Sequence, residues 1–193
     1  MVRNFNIPHN FKGCKSMTFK YTQFQNTFAT TGAEGDAGVD IKEHLQDIIK
    51  NHSAKRKVQQ PLIKFGTSAG CRRLKKDIEV ITAVVVEHDA GEMGLYKACE
   101  MLHEEHYPFV GHETWSHTEE HPRWRIILPL DKPLIISELG GVDEAQEAYR
   151  GFINDLSAVL GDGIISPESY HISQCWYLGH EAGTEGPLMV SNL

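Results

Sequence analysis

The order of apolar patterns predicts an α+β fold: a βαββαβ unit of the ferredoxin-like kind over residues 79–180, preceded by a β-plus-α appendage at 1–78. Three observations predict it. Residues 80–86, VITAVVV, are the continuous β-branched run expected of a strand buried on both faces. Stretches at 93–106 and 143–160 repeat apolar residues at helical spacing. Between them, residues 109–115 and 124–129 read as two strands about a polar turn. In such a unit the helices cover one face of an antiparallel sheet and the other face stays open.

In order along the chain, residues 1–15 lack periodicity and read as a loose arm, and 16–24, SMTFKYTQF, suit a strand. A Gly-rich turn is expected at 32–38, followed by a helix capped by Asp40 and Glu43 with Ile41, Leu45, Ile48 and Ile49 as its apolar stripe. After the strand at 80–86, Leu95, Ala98, Cys99 and Leu102 give the next helix one face. The second long helix starts at Asp143 with Gln146 in the capping-box position. It carries Ala145, Ala148, Tyr149, Phe152, Ile153, Leu156 and Leu160 on one side and ends at Gly161 and Gly163. Residues 174–178, QCWYL, supply the last strand.

The composition, 193 residues with 40% hydrophobic and 23% charged, fits one sizeable core, so 1–193 is expected to be a single domain. The chain has no run of about 18 apolar residues, and MVRNFNIPHNFKG lacks a signal-like apolar stretch, so a cytoplasmic protein without a membrane partner is expected. Cysteines at 14, 71, 99 and 175 form no CxxC pair and read as reduced, mostly buried thiols. A net charge of −7 argues against a surface coated for non-specific nucleic-acid binding, so any such contact must be local. Residues 55–76, KRKVQQPLIKFGTSAGCRRLKK, hold Lys64, Arg72 and Arg73 among their cations and no acid. This stretch is either a solvated basic surface or an approach for nucleic acid.

In VVVEHDAGE, residues 84–92, the apolar run is cut off by Glu87 and Asp89. Side chains two apart on a strand share a face, about 7 Å from one another. Such a pair suits hard divalent cations carrying nucleotide phosphates, and two metals about 3.5–4 Å apart can stabilise both oxygens of a phosphoryl displacement. The bland alternative is a strand end where polarity begins. The hairpin TWSHTEEHPRWRIILPL (114–130) adds Ser116, His117, Arg123 and Arg125, and the two arginines, spaced by two, can fork onto phosphate oxygens; Arg123 can equally pair with a nearby glutamate. His117, Glu120 and His121 spell the HxxEH zinc-protease string, but Pro122 opposes the helix which that chemistry needs. His103–His106 is one residue short of HExxH, and no GxxxxGK[ST] loop is present.

Four blocks in order, VVVEHDAGEM (84–93), TWSHTEEHPRWRIILPL (114–130), LGDGIISPES (160–169) and YHISQCWYLG (170–179), resemble the N-terminal primase-polymerase-like domain of phage and plasmid replication proteins. That domain is a branch of the archaeo-eukaryotic primase superfamily. The resemblance implies a primase-type palm with Glu87, Asp89, His117 and Glu168 as catalytic residues. Glu87, Asp89 and Glu168 would hold Mg²⁺ or Mn²⁺, and Ser116, His117, Arg123 and Arg125 would bind the nucleoside triphosphate. Lys64, Arg72 and Arg73 would face a single-stranded DNA template. Relatives of this type often continue into a helicase-like region, so a helicase domain or protein is an expected partner. Two departures from the family pattern stand out: the first motif begins with Glu87 rather than aspartate, and the third offers Ser166-Pro167-Glu168-Ser169, with Asp162 a weaker candidate than Glu168. The expected activity is DNA primase or polymerase nucleotidyl transfer. Its rivals are a non-catalytic replication-initiator or DNA-binding module on the same fold and a metal-dependent nuclease.

Overall fold

The most apolar stretch of the chain becomes an inner strand that packs on both faces, and the rest of the fold is arranged about it. The computed structural model describes residues 19–36, 43–44, 53–54, 56–177, 180–181 and 188–190. The strands are β1 (Lys20–Phe24), β2 (Ala33–Asp36), β3 (Ser53–Ala54), β4 (Leu62–Lys64), β5 (Gly66–Ser68), β6 (Ile78–His88), β7 (Val110–Glu113), β8 (Trp124–Ile135), β9 (Trp176–Tyr177), β10 (His180–Glu181) and β11 (Leu188–Val190). The helices are α1 (Leu95–Glu104), α2 (Ile136–Leu139) and α3 (Val142–Leu160). No described helix is long and apolar enough to cross a membrane. The expected arm at 1–15 and nearly all of the expected helix from Asp40 lie outside the described residues.

Five strands form one antiparallel sheet in the order β11-β7-β8-β6-β5, and four form a second in the order β2-β1-β4-β9. The short β3 and β10 pair in parallel. Because successive side chains of a strand alternate between faces, β6 sends its residues to two cores. Val84 and Val86 join Leu95, Leu102, Trp124, Tyr149 and Ile153 beneath α1 and α3. Ala83 and Val85 join Val110, Ile127, Phe19, Ile63, Phe65 and Trp176 between the two sheets. The molecule is therefore an α+β fold in three layers: helices, sheet and sheet.

Two features depart from the expected unit. The sheet face predicted to be open is covered by the second sheet, with Phe19, Ile63, Phe65 and Trp176 filling the interval. The last expected strand, 174–178, is reduced to β9 and pairs with β4, while β5 occupies the place beside β6. Chain proximity favours this choice: β5 enters β6 through a short connection of two 3₁₀ turns, whereas β9 is two residues long and is anchored by the burial of Trp176.

Strand β5 covers only Ile78–Ile81 of β6, and among the described residues no strand pairs with the rest of that edge. Side-chain hydroxyls satisfy it instead. The N–H groups of Val85, Glu87 and Asp89 donate to Tyr149 Oη at 3.3 Å, Ser169 Oγ at 2.9 Å and Ser166 Oγ at 3.1 Å. Alternate N–H groups on a strand point to the same side, which is why every second residue needs such a partner.

The local structure departs from the sequence expectation in two places. Residues 33–36, within the expected turn at 32–38, form β2, and Gly35 lies so close under Tyr21 that a Cβ there would meet the ring at 2.2 Å. The capping box at Asp143 is not formed: Gly141 is the N-cap and Asp143 binds Lys75 at 2.8 Å. Gln146 is buried and uses its amide to hold Tyr170 O at 2.7 Å and Ile172 N at 3.2 Å. Among the cysteines, Cys99 and Cys175 are buried and Cys71 is half-buried; burial pushes the Cys99 thiol up to about 12.

Gly66 joins the layers: its carbonyl accepts from Thr22 Oγ1 at 2.9 Å, and its φ of +142° places a built Cβ 1.9 Å from Val80 O. Gly66→Ala is expected to destabilise the protein by more than about 1 kcal/mol, read as a lower urea midpoint with an unchanged m-value.

Candidate functional site

Antiparallel pairing brings the end of β6, the end of β7 and the start of β8 to one edge of the sheet. In register, Glu87 faces Arg125 and His88 faces Trp124, while His112 and Glu113 of β7 flank the same two β8 residues. The stop of the apolar run at Glu87 thus coincides with the charged mouth of the 114–123 hairpin.

Glu87 and Arg125 lie on the face turned toward the second sheet, and both side chains are buried, at 11% and 4% exposure. Arg125 donates from Nη2 to Glu87 Oε1 and from Nη1 to the Tyr177 carbonyl, and its guanidinium sits 4.8 Å from the centre of the Trp176 ring. The expected phosphate-binding arginine and the expected first metal ligand therefore neutralise each other inside the protein.

Asp89 stands outside this pair. Its carboxylate is about half exposed and 3.9 Å from Arg123 Nη1. The serine hydroxyls of the 166–169 segment hold the backbone of Glu87 and Asp89, and Ser166 N–H donates to Glu87 O at 2.8 Å. The third block is thereby fastened to the first. Glu168, however, lies exposed on a 3₁₀ turn, Pro167–Tyr170, and does not join the acidic pair. Among the described residues no three His, Cys, Asp or Glu side chains form a group able to share a metal ion. With Glu87 engaged by Arg125 and Glu168 outside any three-donor group among the described residues, the donors do not fit the two-metal site that the resemblance implied.

The hairpin supplies an acid–histidine pair. His117 Nδ1 accepts from Arg123 N–H at 3.2 Å, which leaves the ring proton on Nε2, 3.2 Å from Glu113 Oε1. Ser116 is half-buried in the adjoining turn. Burial pushes the Glu113 carboxyl above the usual glutamate value, opposed by His117 and reinforced by Glu119. The HxxEH string lies in turns rather than a helix: His121 points to Asp89 O at 3.0 Å while His117 turns to Glu113.

Sequence reasoning missed Glu113, whose pairing depends on hairpin register, and His88, which sits unannounced between the two acids. His88 is fully buried on the helix side and stacks on Trp124 with ring centres 5.2 Å apart. Its Nε2 accepts from Gly91 N at 3.1 Å and Met93 N at 3.2 Å, so Nδ1 carries the proton and donates to Ile164 O at 2.7 Å. Gly91, with φ of +90°, has His121 so close that a Cβ would lie 2.3 Å from its Nδ1. The 89–93 turn is thus clasped from both sides.

The candidate DNA contacts fare unequally. Lys64 is 1% exposed, bonds Arg73 O at 3.2 Å and Ser68 Oγ at 3.4 Å, and has its pKa lowered by desolvation. It cannot reach a phosphate, because its ammonium is spent inside the second sheet. Arg73 is half-buried, donates to Thr27 O at 2.7 Å and lies over Phe24. Arg72 remains about half exposed while paired with Asp77 at 2.9 Å.

Comparison with protein-family models, curated proteins and solved structures found no match.

Two outcomes are expected. Arg125→Ala leaves the Glu87 carboxylate buried without its cation and should cost about 3–5 kcal/mol of unfolding free energy, measured by urea titration. Glu113, holding its proton to higher pH when folded than when unfolded, makes folding take up protons across that interval, so its contribution to stability falls as pH rises from the ordinary glutamate value to the raised one. In Glu113→Gln this part of the decline should disappear from a plot of unfolding free energy against pH.

Proposed function

We propose that this chain is a primase-type palm domain of a phage or plasmid replication protein that recognises the phosphates of nucleotides or single-stranded DNA at the β6–β8 edge. One observation carries the reading: acidic, histidine and arginine residues from the ends of three strands, β6, β7 and β8, meet at one end of a single sheet, with Asp89 and Arg123 at its accessible rim. Arg123 is the cation best placed to receive a phosphate, since its link to Asp89 is long and partly solvated. Ser116 and His117 border it. The occupied state of Glu87 and the position of Glu168 favour recognition over synthesis.

A second reading, nucleotidyl transfer in primer synthesis or extension, is favoured by the serine latch, which fastens the segment carrying Glu168 to the strand carrying Glu87 and Asp89. Here Asp89 and Glu168 are the carboxylates to test, and nucleoside triphosphates with Mg²⁺ or Mn²⁺ the reagents to supply. A nuclease on the same fold would release shortened strands instead.

Purified protein is incubated with Mn²⁺ or Mg²⁺, labelled nucleotides and single-stranded DNA, with and without primer, and the products are sized alongside a nucleotide-binding titration. Recognition predicts binding weakened about tenfold or more by Arg123→Gln, as expected for loss of a charge-assisted phosphate contact, and no lengthened strands. Longer strands that vanish in Asp89→Ala would replace it with nucleotidyl transfer, and absence of both binding and products would sink both readings.

A further inference from the structure

Among the described residues, four large hydrophobic side chains are conspicuously exposed: Phe28 at 78%, Val58 at 42%, Leu74 at 53% and Tyr96. Three of them come from separate segments that the fold draws together. Thr27 N–H donates to Val58 O at 3.5 Å, and Arg73 Nη1 donates to Thr27 O at 2.7 Å, placing Phe28 beside Val58 and beside the segment that carries Leu74. Thr31 forms a bridge with Arg72, closing the same surface from the other side. Apolar groups brought to solvent by three converging segments are a feature to be explained, since isolated ones would need no account.

The same segments carry exposed cations. Arg56 and Lys57 directly precede Val58 and are exposed, and Arg72 is about half exposed while paired with Asp77 at 2.9 Å. No acid occurs between residues 55 and 76, in a protein whose net charge is −7. Because Asp77 balances Arg72, the positive charge of this surface rests on Arg56 and Lys57, on a negative molecule and near a protruding phenyl ring. Apolar contact alone would suit another protein, but concentrated like charge opposes a second copy of the same surface and favours a polyanion.

We infer that this surface, Phe28, Val58 and Leu74 framed by Arg56, Lys57 and Arg72, is a docking site for single-stranded nucleic acid. A base stacks on Phe28 and adjoining phosphates meet the cations, the combination by which sequence-tolerant single-strand binders work. A duplex fits less well, because its bases are already stacked on one another. Tyr177 connects this surface to the β6–β8 edge: its hydroxyl bonds Thr27 Oγ1, Lys57 lies 5.6 Å from its ring centre, and its carbonyl accepts from Arg125. The surface is thus joined through Tyr177 to the strand end that binds Arg125, and the inference deepens the nucleic-acid reading proposed above and rests on it for its purpose.

The test is fluorescence anisotropy of the full chain with a labelled mixed-sequence single-stranded oligonucleotide at several salt concentrations, with the matching duplex as competitor. Phe28→Ala, at an exposed position that folding does not need, should weaken binding about tenfold. Arg56→Gln with Lys57→Gln should lower the slope of log affinity against log salt by about 1.4, the loss of two phosphate contacts on a single strand. Wild-type affinity in both variants, no binding by the wild type, or equal preference for duplex would overturn the inference. A Phe28-dependent dimer on sizing, with no effect of oligonucleotide, would assign the surface to a second copy instead. Arg123→Gln separates the two proposals: loss of nucleotide binding there with unaltered patch variants removes this inference alone, and the converse removes the reading of the β6–β8 edge alone.

Discussion

Arg125 carries the constraint on which the arrangement of this molecule depends. A guanidinium buried to this degree must find compensating charge or forfeit its hydration without return. It finds a carboxylate on the next strand, a carbonyl on the opposite sheet and the face of an indole. Those three partners belong to β6 and β9, so one side chain of β8 fastens two inner strands of the larger sheet to the end strand of the smaller. Strand β9 has only two residues, too few for backbone pairing alone to fix it. Trp176 and the Arg125 contact hold it in place, and with it the second sheet closes over a face that a plain βαββαβ unit would leave open.

The opposite edge of β6 meets a different requirement. Where a fourth strand would ordinarily pair, Tyr149, Ser166 and Ser169 supply hydroxyls at every second N–H. An unpaired buried N–H is costly, and a hydroxyl that also packs into the helical layer removes the cost without extending the sheet. It also makes the 164–170 segment part of the site's frame. Ile164 O receives the His88 proton, and the His88 acceptor nitrogen in turn gathers the N–H groups of Gly91 and Met93. The turn after Asp89 is consequently held by hydrogen bonds on one side and by His121 on the other, and the position of the Asp89 carboxylate follows from that double restraint.

How much of this could be read from the sequence depended on whether the determining contact was local. The run at 80–86, the stripe Leu95, Ala98, Cys99 and Leu102, and the hairpin with arginines two apart announce elements because burial period is a local property, and β6, α1, β7 and β8 formed close to where they were expected. The partner of the last strand was not readable, since QCWYL fits either sheet and the choice rests on where Trp176 finds a core. The stretch 32–38 looked like a turn because of its glycines, but Gly35 serves to admit the Tyr21 ring rather than to bend the chain. Charge misled in a similar way. Lys64 shares a basic segment with exposed neighbours, yet strand alternation and a carbonyl at Arg73 take it inside. Glu87 and Asp89, spaced for a shared face, were separated in role by the arginine that reaches only the first of them.

Three of the acid–base pairs at the β6–β8 edge differ enough in their costs of separation to be ranked. Glu87 with Arg125 is enclosed, and removing either partner strands a charge away from water. Glu113 with His117 is intermediate, at about one-fifth exposure, with the imidazole held at its other nitrogen by the backbone of Arg123. Asp89 with Arg123 is the loosest, 3.9 Å apart and reached by solvent, and an ion pair of that kind contributes about 0–1 kcal/mol. Separating Arg123 from Asp89 therefore costs little, whereas taking Arg125 from Glu87 would oppose the packing of both sheets. The chemistry available at this edge is set by that difference: the pair that can open lies at the rim, and the pair that cannot is the one holding the fold together.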